Sequence, residues 1–525
     1  MSRGSHPAPP SVTTMSTTRP LPEAPVRLSA VVIGAGFAGL AAADTLRAEG
    51  VDVVVLERAD GVGGVWRDNT YPGAACDVPS SLYSFSFDSN PGWRRVYSEQ
   101  PDILAYLERV ADRRGLRPLV RTGVRAVAAT YDDTTGRWTV TLASGETLET
   151  DLVVSAVGQL SEPVVPALPG LESFAGPVFH SATWRHDVDL AGRRVAVVGT
   201  GASAIQLVPG IADRAGSITV FQRSAPYVVM KPDGAYPGWL RRLLARSAVL
   251  RRLERRAVWH LSEWLNGALT GALPRSALPR VLHRAWRLHL RRQVRDPALR
   301  ARLVPSDPLG CKRLLFSNDW YRTLDRPHVD VVTAPVARVE PDAVVDADGR
   351  RHEVDVVVWG TGFAATDFLR HLEVTGRDGE RLHETWRHGA SAHLGVTVPG
   401  FPGLALMYGP NTNLGGSSIL GMIEPQAAYV AQLARATAAA RARGAVGLEV
   451  RREAFEAYDR EVQERLSRSV WAGCASWYRT VTGRITTNWP GTVAEYQRRT
   501  AELALDDYEE VRACRTTPHT TTTSS

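Results

Sequence analysis

Two glycine-rich runs in this 525-residue chain have the spacing of dinucleotide-binding turns. The first contains Gly34, Gly36 and Gly39, and Glu57 follows eighteen residues after the last glycine. Such glycines permit a tight turn, let the backbone approach a pyrophosphate and let the helix pack on its strand, while the acid binds ribose hydroxyls. We therefore predict that this run binds a dinucleotide.

The second run differs from the first in the residues that end its second strand. Its turn is formed by consecutive residues: Gly199, Thr200, Gly201, Ala202 and Ser203. The strand that follows ends in Arg223 and Ser224 rather than in an acid. An acid would repel a 2′-phosphate, whereas arginine binds it, so we predict NADP(H) over NAD(H).

Two dinucleotide sites in one chain indicate a division of labour between cofactors. A nicotinamide donates hydride, and a flavin can then react with oxygen or with a disulfide. We expect FAD in the first site and NADPH in the second. Oxygenase and disulfide reductase chemistry both remain open at this point.

The elements around the two runs predict an α/β fold with two Rossmann-like domains. Each run lies between two strand patterns, LSAVVIG with VDVVVLE and RRVAVVG with SITVFQR. The stretches YDDTTGRWTVTLASGETLETDLVVSAVG and EPDAVVDADGRRHEVDVVVWGTGF alternate as meander strands, and we expect each to return to its nucleotide domain.

Composition shifts divide the chain further. We predict a disordered leader over 1–26, a discontinuous FAD-binding domain over 27–165 and 340–500, an NADP-binding domain over 166–339, and a C-terminal helix end with a disordered tail over 501–525. The leader lacks the apolar core of a signal peptide, and no apolar run is long enough to span a bilayer. We therefore expect a cytoplasmic enzyme.

A basic helical insertion occupies about 239–304 of the second domain and carries Trp259, Trp264 and Trp286. A basic helix with tryptophans can lie on an anionic membrane, but we favour a packed lid because arginine is common throughout the chain. The formal charge is +7, which attracts the phosphates of a dinucleotide and does not by itself indicate nucleic acid. Lysine occurs only at Lys231 and Lys312.

The four cysteines, Cys76, Cys311, Cys474 and Cys514, are far apart and form no CxxC pair. We therefore expect neither a disulfide framework nor a metal site. The spacing also argues against a flavin disulfide reductase, which needs a redox cysteine pair. Cys76 and Cys311 are interpreted as small residues lining the pocket.

Three runs resemble the motifs of type I Baeyer-Villiger monooxygenases. GGVWRDNTYPGAACD matches the first family motif from Gly63 to Asp77, and FAGPVFHSATW matches the second from Phe174 to Trp184. Arg185 departs from the second pattern and is more typical of the sister flavin-containing monooxygenases. The third run, DPLGCKRLLFSNDWY, resembles the family's active-site Lys-Arg pair. The resemblance spans about 32–500. Within the family, the motifs are most similar to those of the branch that contains hydroxyacetophenone monooxygenase.

The resemblance implies conversion of a small-molecule ketone, cyclic or aryl, by molecular oxygen into an ester or lactone through an oxygen adduct at the flavin C4a carbon. It implies a catalytic Arg313 oriented by Asp77, a Lys312 that binds the 2′-phosphate, a Trp477 that closes on NADP and a conformational His180. The implied FAD contacts are Gly64, Val65, Trp66, Asp77, Tyr83 and Val124.

Two alternatives stay open beside this interpretation. An enzyme that oxygenates nitrogen or sulfur would use the same cofactors but needs a neutral hydroperoxide and no basic clamp, so Arg185 favours it while Asp77 and Arg313 disfavour it. A non-enzymatic module for membrane surfaces or redox sensing rests only on the basic insertion and the fold.

Overall fold

The computed structural model describes residues 27–270, 278–474, 478–480 and 482–513. The predicted leader and residues 514–525 of the predicted C-terminal segment lie outside these ranges. The described part of that segment contains the strand Tyr508–Val511, so the predicted helix end there is wrong. The strands are β1 Ser29–Ile33, β2 Asp52–Leu56, β3 Val120–Arg121, β4 Ala126–Asp132, β5 Arg137–Leu142, β6 Thr147–Thr150, β7 Leu152–Ser155, β8 Val178–His180, β9 Arg194–Val198, β10 Ser217–Phe221, β11 Val228–Val229, β12 Leu315–Phe316, β13 Val329–Val332, β14 Val336–Glu340, β15 Ala343–Asp346, β16 Arg351–Glu353, β17 Val356–Trp359, β18 Glu373–Thr375, β19 Leu404–Leu406, β20 Gly447–Val450 and β21 Tyr508–Val511.

The α-helices of the described ranges connect or cover these strands. They are α1 Phe37–Ala48, α2 Val65–Asp68, α3 Gln100–Arg113, α4 Ala204–Ile211, α5 Gly238–Arg246, α6 Ala248–Thr270, α7 Leu278–Gln293, α8 Pro297–Arg302, α9 Trp320–Leu324, α10 Leu382–Thr385, α11 Leu420–Ala442, α12 Arg452–Ser467 and α13 Val493–Arg499.

The first sheet has the order β19-β7-β1-β2-β3, and all its neighbours are parallel. Its central strands are continuous apolar runs, as expected where helices cover both faces of a parallel sheet. The alanine-rich helices α1 and α11 pack against each other on one face, where small side chains allow close approach.

The second sheet has the order β13-β10-β9-β17-β8 and is also parallel throughout. Together the two sheets confirm the predicted α/β class with two Rossmann-like domains. The predicted domain boundary at 340 is wrong in one respect, because the buried strand β17 pairs with β8 and β9 inside the second sheet. The chain therefore leaves the second domain after Trp359.

The two predicted meanders are present and return to different sheets. Strands β4, β5 and β6 form an antiparallel meander that leads into β7 of the first sheet. Strands β14, β15 and β16 lead into β17 of the second sheet. The first meander thus leads to the first nucleotide domain and the second meander to the second nucleotide domain.

The predicted helical insertion comprises α5 to α8, between β11 and β12. Trp286 and Leu290 of α7 are buried in the core of the second domain. At its far end, α6 buries Glu263, whose carboxylate accepts hydrogen bonds from the Val493 and Ala494 amides at 3.2 and 3.1 Å. Among the described residues, none of the helices combines the length and apolar character that crossing a membrane requires.

Candidate active site

One cavity of about 1610 Å³ runs between the carboxyl ends of the two parallel sheets. Ligands of open α/β sheets bind at this edge. Its volume exceeds the 300–1,000 Å³ typical of small-molecule sites, as a site for two dinucleotides requires. Eighteen of the predicted site residues line it: Gly34, Gly36, Glu57, Gly64, Val65, Trp66, Asp77, Tyr83, Val124, Gly199, Thr200, Gly201, Ala202, Ser203, Arg223, Ser224, Lys312 and Arg313.

The first nucleotide turn begins directly after β1. Gly34 has φ +106, and a Cβ there would lie 2.6 Å from the Ala156 carbonyl oxygen, so only glycine fits. The Glu57 carboxylate accepts hydrogen bonds from the Ala35 and Ala59 amides at 2.7 and 2.8 Å, which fix it beside the turn. A fixed carboxylate at the end of β2 suits the ribose hydroxyls of FAD.

The wall next to this turn is aromatic. The Trp66 indole Nε1 donates to the Tyr83 hydroxyl at 3.1 Å, and the two rings meet edge to face. Burial, the largest influence, raises the pKa of Tyr83 well above its ordinary value, so the phenol stays protonated. Apolar side chains with fixed polar ends suit an isoalloxazine ring.

The second turn follows β9 in the same way. Gly199 has φ +113 and packs on the Gly360 backbone, while a Cβ on Gly201 would meet no atom within 4 Å. The Thr200 hydroxyl donates to the Ser224 carbonyl at 3.1 Å. This open turn beside the end of β10 leaves room for a pyrophosphate.

Three side chains with donor groups gather at the rim of the second turn. The Lys312 ammonium donates to the Ser224 hydroxyl at 2.8 Å and pairs with Asp307 at 2.6 Å. Arg223 is exposed and lines the same part of the cavity. Two cations and a hydroxyl fit a 2′-phosphate, so the residues present suit NADPH at this site.

Arg313 and Asp77 form a bidentate ion pair between the two turns. The guanidinium Nε and Nη2 donate to the two carboxylate oxygens at 2.8 and 2.9 Å. The Arg313 and Asp77 side chains are 28% and 24% exposed, and both line the cavity. Asp77 comes from the first domain and Arg313 from the second, so the pair also joins the domains.

The electrostatics of the pair keep both groups charged. Burial alone would raise the pKa of Asp77, but the adjacent Arg313 outweighs it and holds that pKa below its ordinary value. Asp77 in turn raises the pKa of Arg313 further above its usual range. The site therefore carries a permanent cation at the wall of the cavity.

Two tyrosines beside Arg313 were not identified from the sequence. Tyr408 lines the cavity, and its hydroxyl donates to the Asn413 amide oxygen at 2.8 Å. Burial raises the pKa of Tyr478 to about 12 and raises that of Tyr408 as well. Only the neighbouring GPNTN and SWYR runs could have drawn attention to them.

Gln206 on α4 is a second feature that sequence reasoning missed. Its side-chain oxygen accepts from the Tyr71 hydroxyl at 3.0 Å, and its amide donates to the Ala75 carbonyl at 2.9 Å. It thereby fixes the loop that carries Asp77 to the second domain. No local pattern marks such a glutamine.

Two predicted residues, Gly39 and His180, lie elsewhere. Gly39 packs beneath the turn, where a Cβ would collide with the Gly34 carbonyl. His180 is buried outside the cavity, and its Nδ1 accepts from the Ala182 amide at 3.1 Å. Its ring meets the Phe363 ring edge to face at 5.6 Å. Trp477 lies outside the described residues.

Arg185, which departed from the second motif, faces solvent. Its guanidinium pairs with the exposed Asp187 and does not line the cavity. The residue that favoured nitrogen or sulfur oxygenation therefore lies outside the cavity wall.

The cysteines contradict the expectation drawn from their spacing. Cys311 and Cys474, 163 residues apart, form a disulfide with a Cα–Cα distance of 5.6 Å. Folding brings together residues whose separation in sequence hid their proximity. Cys76 stays a buried free thiol whose pKa burial raises. Among the described residues, no group of three or more His, Cys, Asp or Glu side chains has the arrangement of a metal site.

Known proteins similar to the chain agree with this geometry. A family model described as flavin-binding monooxygenase-like matches residues 28–267. A Baeyer-Villiger monooxygenase of Streptomyces coelicolor is 46% identical over 92% of both chains. One from Pseudomonas aeruginosa is 40% identical over 94% of this chain and 93% of that protein.

A solved structure extends the similarity to three dimensions. An oxidised steroid monooxygenase bound to NADP superimposes with a TM-score of 0.80 and 33% identity over 93% of this chain and 100% of that one. Relatives of this identity and coverage share one architecture from end to end. The chain belongs to the type I Baeyer-Villiger monooxygenases and is an NADPH-dependent FAD monooxygenase.

Proposed function

We propose that the chain converts a cyclic or aryl ketone into a lactone or ester, with Arg313 as the catalytic cation and Asp77 as the residue that orients it. In the overall reaction, ketone, O₂, NADPH and a proton give the ester, NADP⁺ and water. The observation that carries the proposal is the bidentate Arg313–Asp77 pair in the cavity between both nucleotide turns.

Bound FAD, reduced by NADPH, supplies the activated oxygen. A ketone bound here would develop negative charge on its carbonyl oxygen during oxygen transfer, and the attacking oxygen would itself have to be anionic. Arginine cannot lose its proton, so Arg313 supplies a constant positive charge and donors that orient the acceptors. A nitrogen or sulfur oxygenase needs no such clamp.

The second-domain residues hold the reductant. Arg223, Ser224 and Lys312 would bind the 2′-phosphate, and the turn from Gly199 to Ser203 would hold the pyrophosphate. The first-domain turn and Glu57 would hold FAD. A need for NADPH agrees with the cytoplasmic location that we propose.

The apolar wall supports a compact, hydrophobic ketone. Leu414, Ile419 and Ile423 line the cavity, and the Leu414 carbonyl accepts from Arg313 at 3.4 Å. A carbonyl-bearing ring placed there would have its oxygen near the guanidinium.

The first test compares Arg313→Ala with the wild-type holoenzyme on a panel of cyclohexanone and acetophenone derivatives. Loss of one preorganised donor at a developing oxyanion slows turnover by about 10²–10³-fold. We expect that loss in ester formation, together with release of hydrogen peroxide by the variant. Ester and peroxide are measured alongside NADPH consumption.

Arg370→Ala is the matched control, because Arg370 also lines the cavity but pairs with Asp367 at its surface. We expect its ester formation to stay within about twofold of wild type. If Arg313→Ala retains FAD and still makes ester at the wild-type rate, the proposed role of Arg313 is wrong. Oxygenation of amines or sulfides but of no ketone would favour the alternative.

A further inference from the structure

Helix α6 exposes a continuous apolar stripe. Val249, Leu253, Ala257, Leu261 and Trp264 recur at helical spacing on one side. The four large side chains among them are between 50% and 63% exposed. No residue of the described ranges covers this side of the helix.

Cations border the stripe, and the acids of the helix are turned away. Arg252, Arg256 and His260 are exposed between the apolar positions. Glu254 instead accepts a hydrogen bond from the Tyr236 hydroxyl, and Glu263 is buried against α13. The outward face of α6 is therefore apolar and cationic with no competing carboxylate.

Helix α5, which packs on α6, also exposes apolar side chains next to arginines. Trp239 and Leu243 are 63% and 44% exposed, with Arg242 and Arg246 exposed beside them. Tryptophan is suited to a water–lipid boundary because its ring is apolar and its indole N–H is polar.

The charge of the whole chain is concentrated in this insertion. Residues 239–304 contain 16 arginines and three acidic residues, a net charge of +13, whereas the full chain carries +7. The rest of the chain therefore carries a net charge of −6. An apolar face bordered by exposed arginines, in an insertion of this charge, favours a surface that is itself both anionic and apolar.

We propose that the outward face of α5 and α6 docks on an anionic membrane surface. The helices would lie in the interface with the apolar stripe inserted among the acyl chains and the arginines at the headgroups. This goes beyond the packed lid expected from the sequence, because α7 and the inner side of α6 pack on the protein while the outer side remains available.

Two other binding partners for this face, a second copy of the chain and nucleic acid, fit less well. A symmetric second copy would place the same +13 segment against itself, which repels. Nucleic acid would satisfy the arginines but would leave five apolar positions in water.

The test is sedimentation of the holoenzyme with vesicles of phosphatidylcholine alone or with 30 mol% phosphatidylserine (roughly the anionic content of a charged leaflet). We expect binding to the anionic vesicles only, weakening with salt. Leu253→Ser with Leu261→Ser, and separately Arg252→Glu with Arg256→Glu, should each lower the apparent affinity at least about tenfold, while NADPH oxidation stays unchanged.

Arg452→Glu with Arg460→Glu on α12 makes the same change in net charge on another surface and should leave vesicle binding within about twofold. Equal loss in this control, or no binding to anionic vesicles at low salt, would overturn the proposal. So would two further results: a dimer in sedimentation velocity that Leu253→Ser with Leu261→Ser dissociates, or duplex DNA binding tighter than vesicle binding.

Discussion

Arg313 and Asp77 lie 236 residues apart and come from different nucleotide domains, yet each fixes the charge of the other. Arg313 can serve a developing oxyanion only while its guanidinium is held in one orientation. The two donors that bind Asp77 provide that orientation, a third reaches the Leu414 carbonyl, and the other two N–H groups are left for the cavity. The pair therefore separates two roles, charge and placement, between two residues.

Asp77→Asn separates these roles experimentally. The amide keeps the size of the side chain but loses one acceptor and the negative charge, so Arg313 stays charged and loses its fixed orientation. We expect ester formation to fall about 10–100-fold, as for other orienting partners, and the ratio of peroxide to ester to rise. A changed ratio with retained FAD absorbance indicates that Arg313 is misplaced. Unfolding of the variant would instead release FAD and lower its absorbance.

The specificity for NADPH is a second property of single residues. Arg223→Ala with Lys312→Ala removes two charged donors, so we expect KM for NADPH to rise at least about tenfold and kcat/KM for NADH to change within about twofold. Steady-state kinetics with both cofactors measures this. Arg193→Ala, at an exposed position outside the cavity, should leave both values unchanged; an equal loss with NADH would contradict the assignment.

At the scale of elements, the Cys311–Cys474 disulfide joins the segment that carries Lys312 and Arg313 to the chain just before residue 475. Two segments that are distant in sequence are thereby tied beside the active site. The tether restricts the unfolded chain over a long loop, which is how such bonds stabilise proteins in the chain-entropy account.

Reduction of this disulfide should lower the free energy of unfolding by about 2–4 kcal/mol. Urea unfolding with and without reductant measures the difference, and thiol titration counts the groups released. Cys474→Ser should show the reduced stability and no further response to reductant. A full response in that variant would mean that another thiol is responsible.

How far the sequence predicts these elements depends on how local each signal is. The turns at Gly34 and Gly199 are predictable because strand, glycines and helix lie within one short run, and Lys312 and Arg313 lie in a run of their own. Pairing of Cys311 with Cys474, insertion of β17 between β8 and β9, and the contacts of Gln206 depend on tertiary packing. No local pattern encodes such distances, so these features emerge only from the folded chain.

At the scale of the whole molecule, buried histidines make the folded chain less stable in acid. Burial lowers the pKa of His180, His289 and His393, so each is neutral in the fold and takes up a proton more readily when unfolded. The free energy of unfolding should therefore fall as pH drops below about 6.5, by up to about 1.4 kcal/mol per pH unit for each histidine.

Thermal unfolding midpoints between pH 8 and pH 5 test this expectation. The plot of the unfolding midpoint against pH should flatten above about pH 6.5, where the histidines of the unfolded chain are also neutral. His393→Gln, at a buried position, should make the dependence of the midpoint on pH shallower. An unchanged slope would assign the pH dependence to other groups.

The chain passes between the two parallel sheets twice, once from β7 to β8 and once after β17 on the way to β19. The two passages are tied side by side, because the Val164 amide donates to the Gly362 carbonyl at 3.0 Å and Pro163 bridges Phe363. Two interdomain connections that lie this close together act as one hinge. The Cys311–Cys474 disulfide is a third covalent link between the domains, so we expect rotation about this hinge to widen when the disulfide is reduced, as one pair of distance labels placed across the cavity would show.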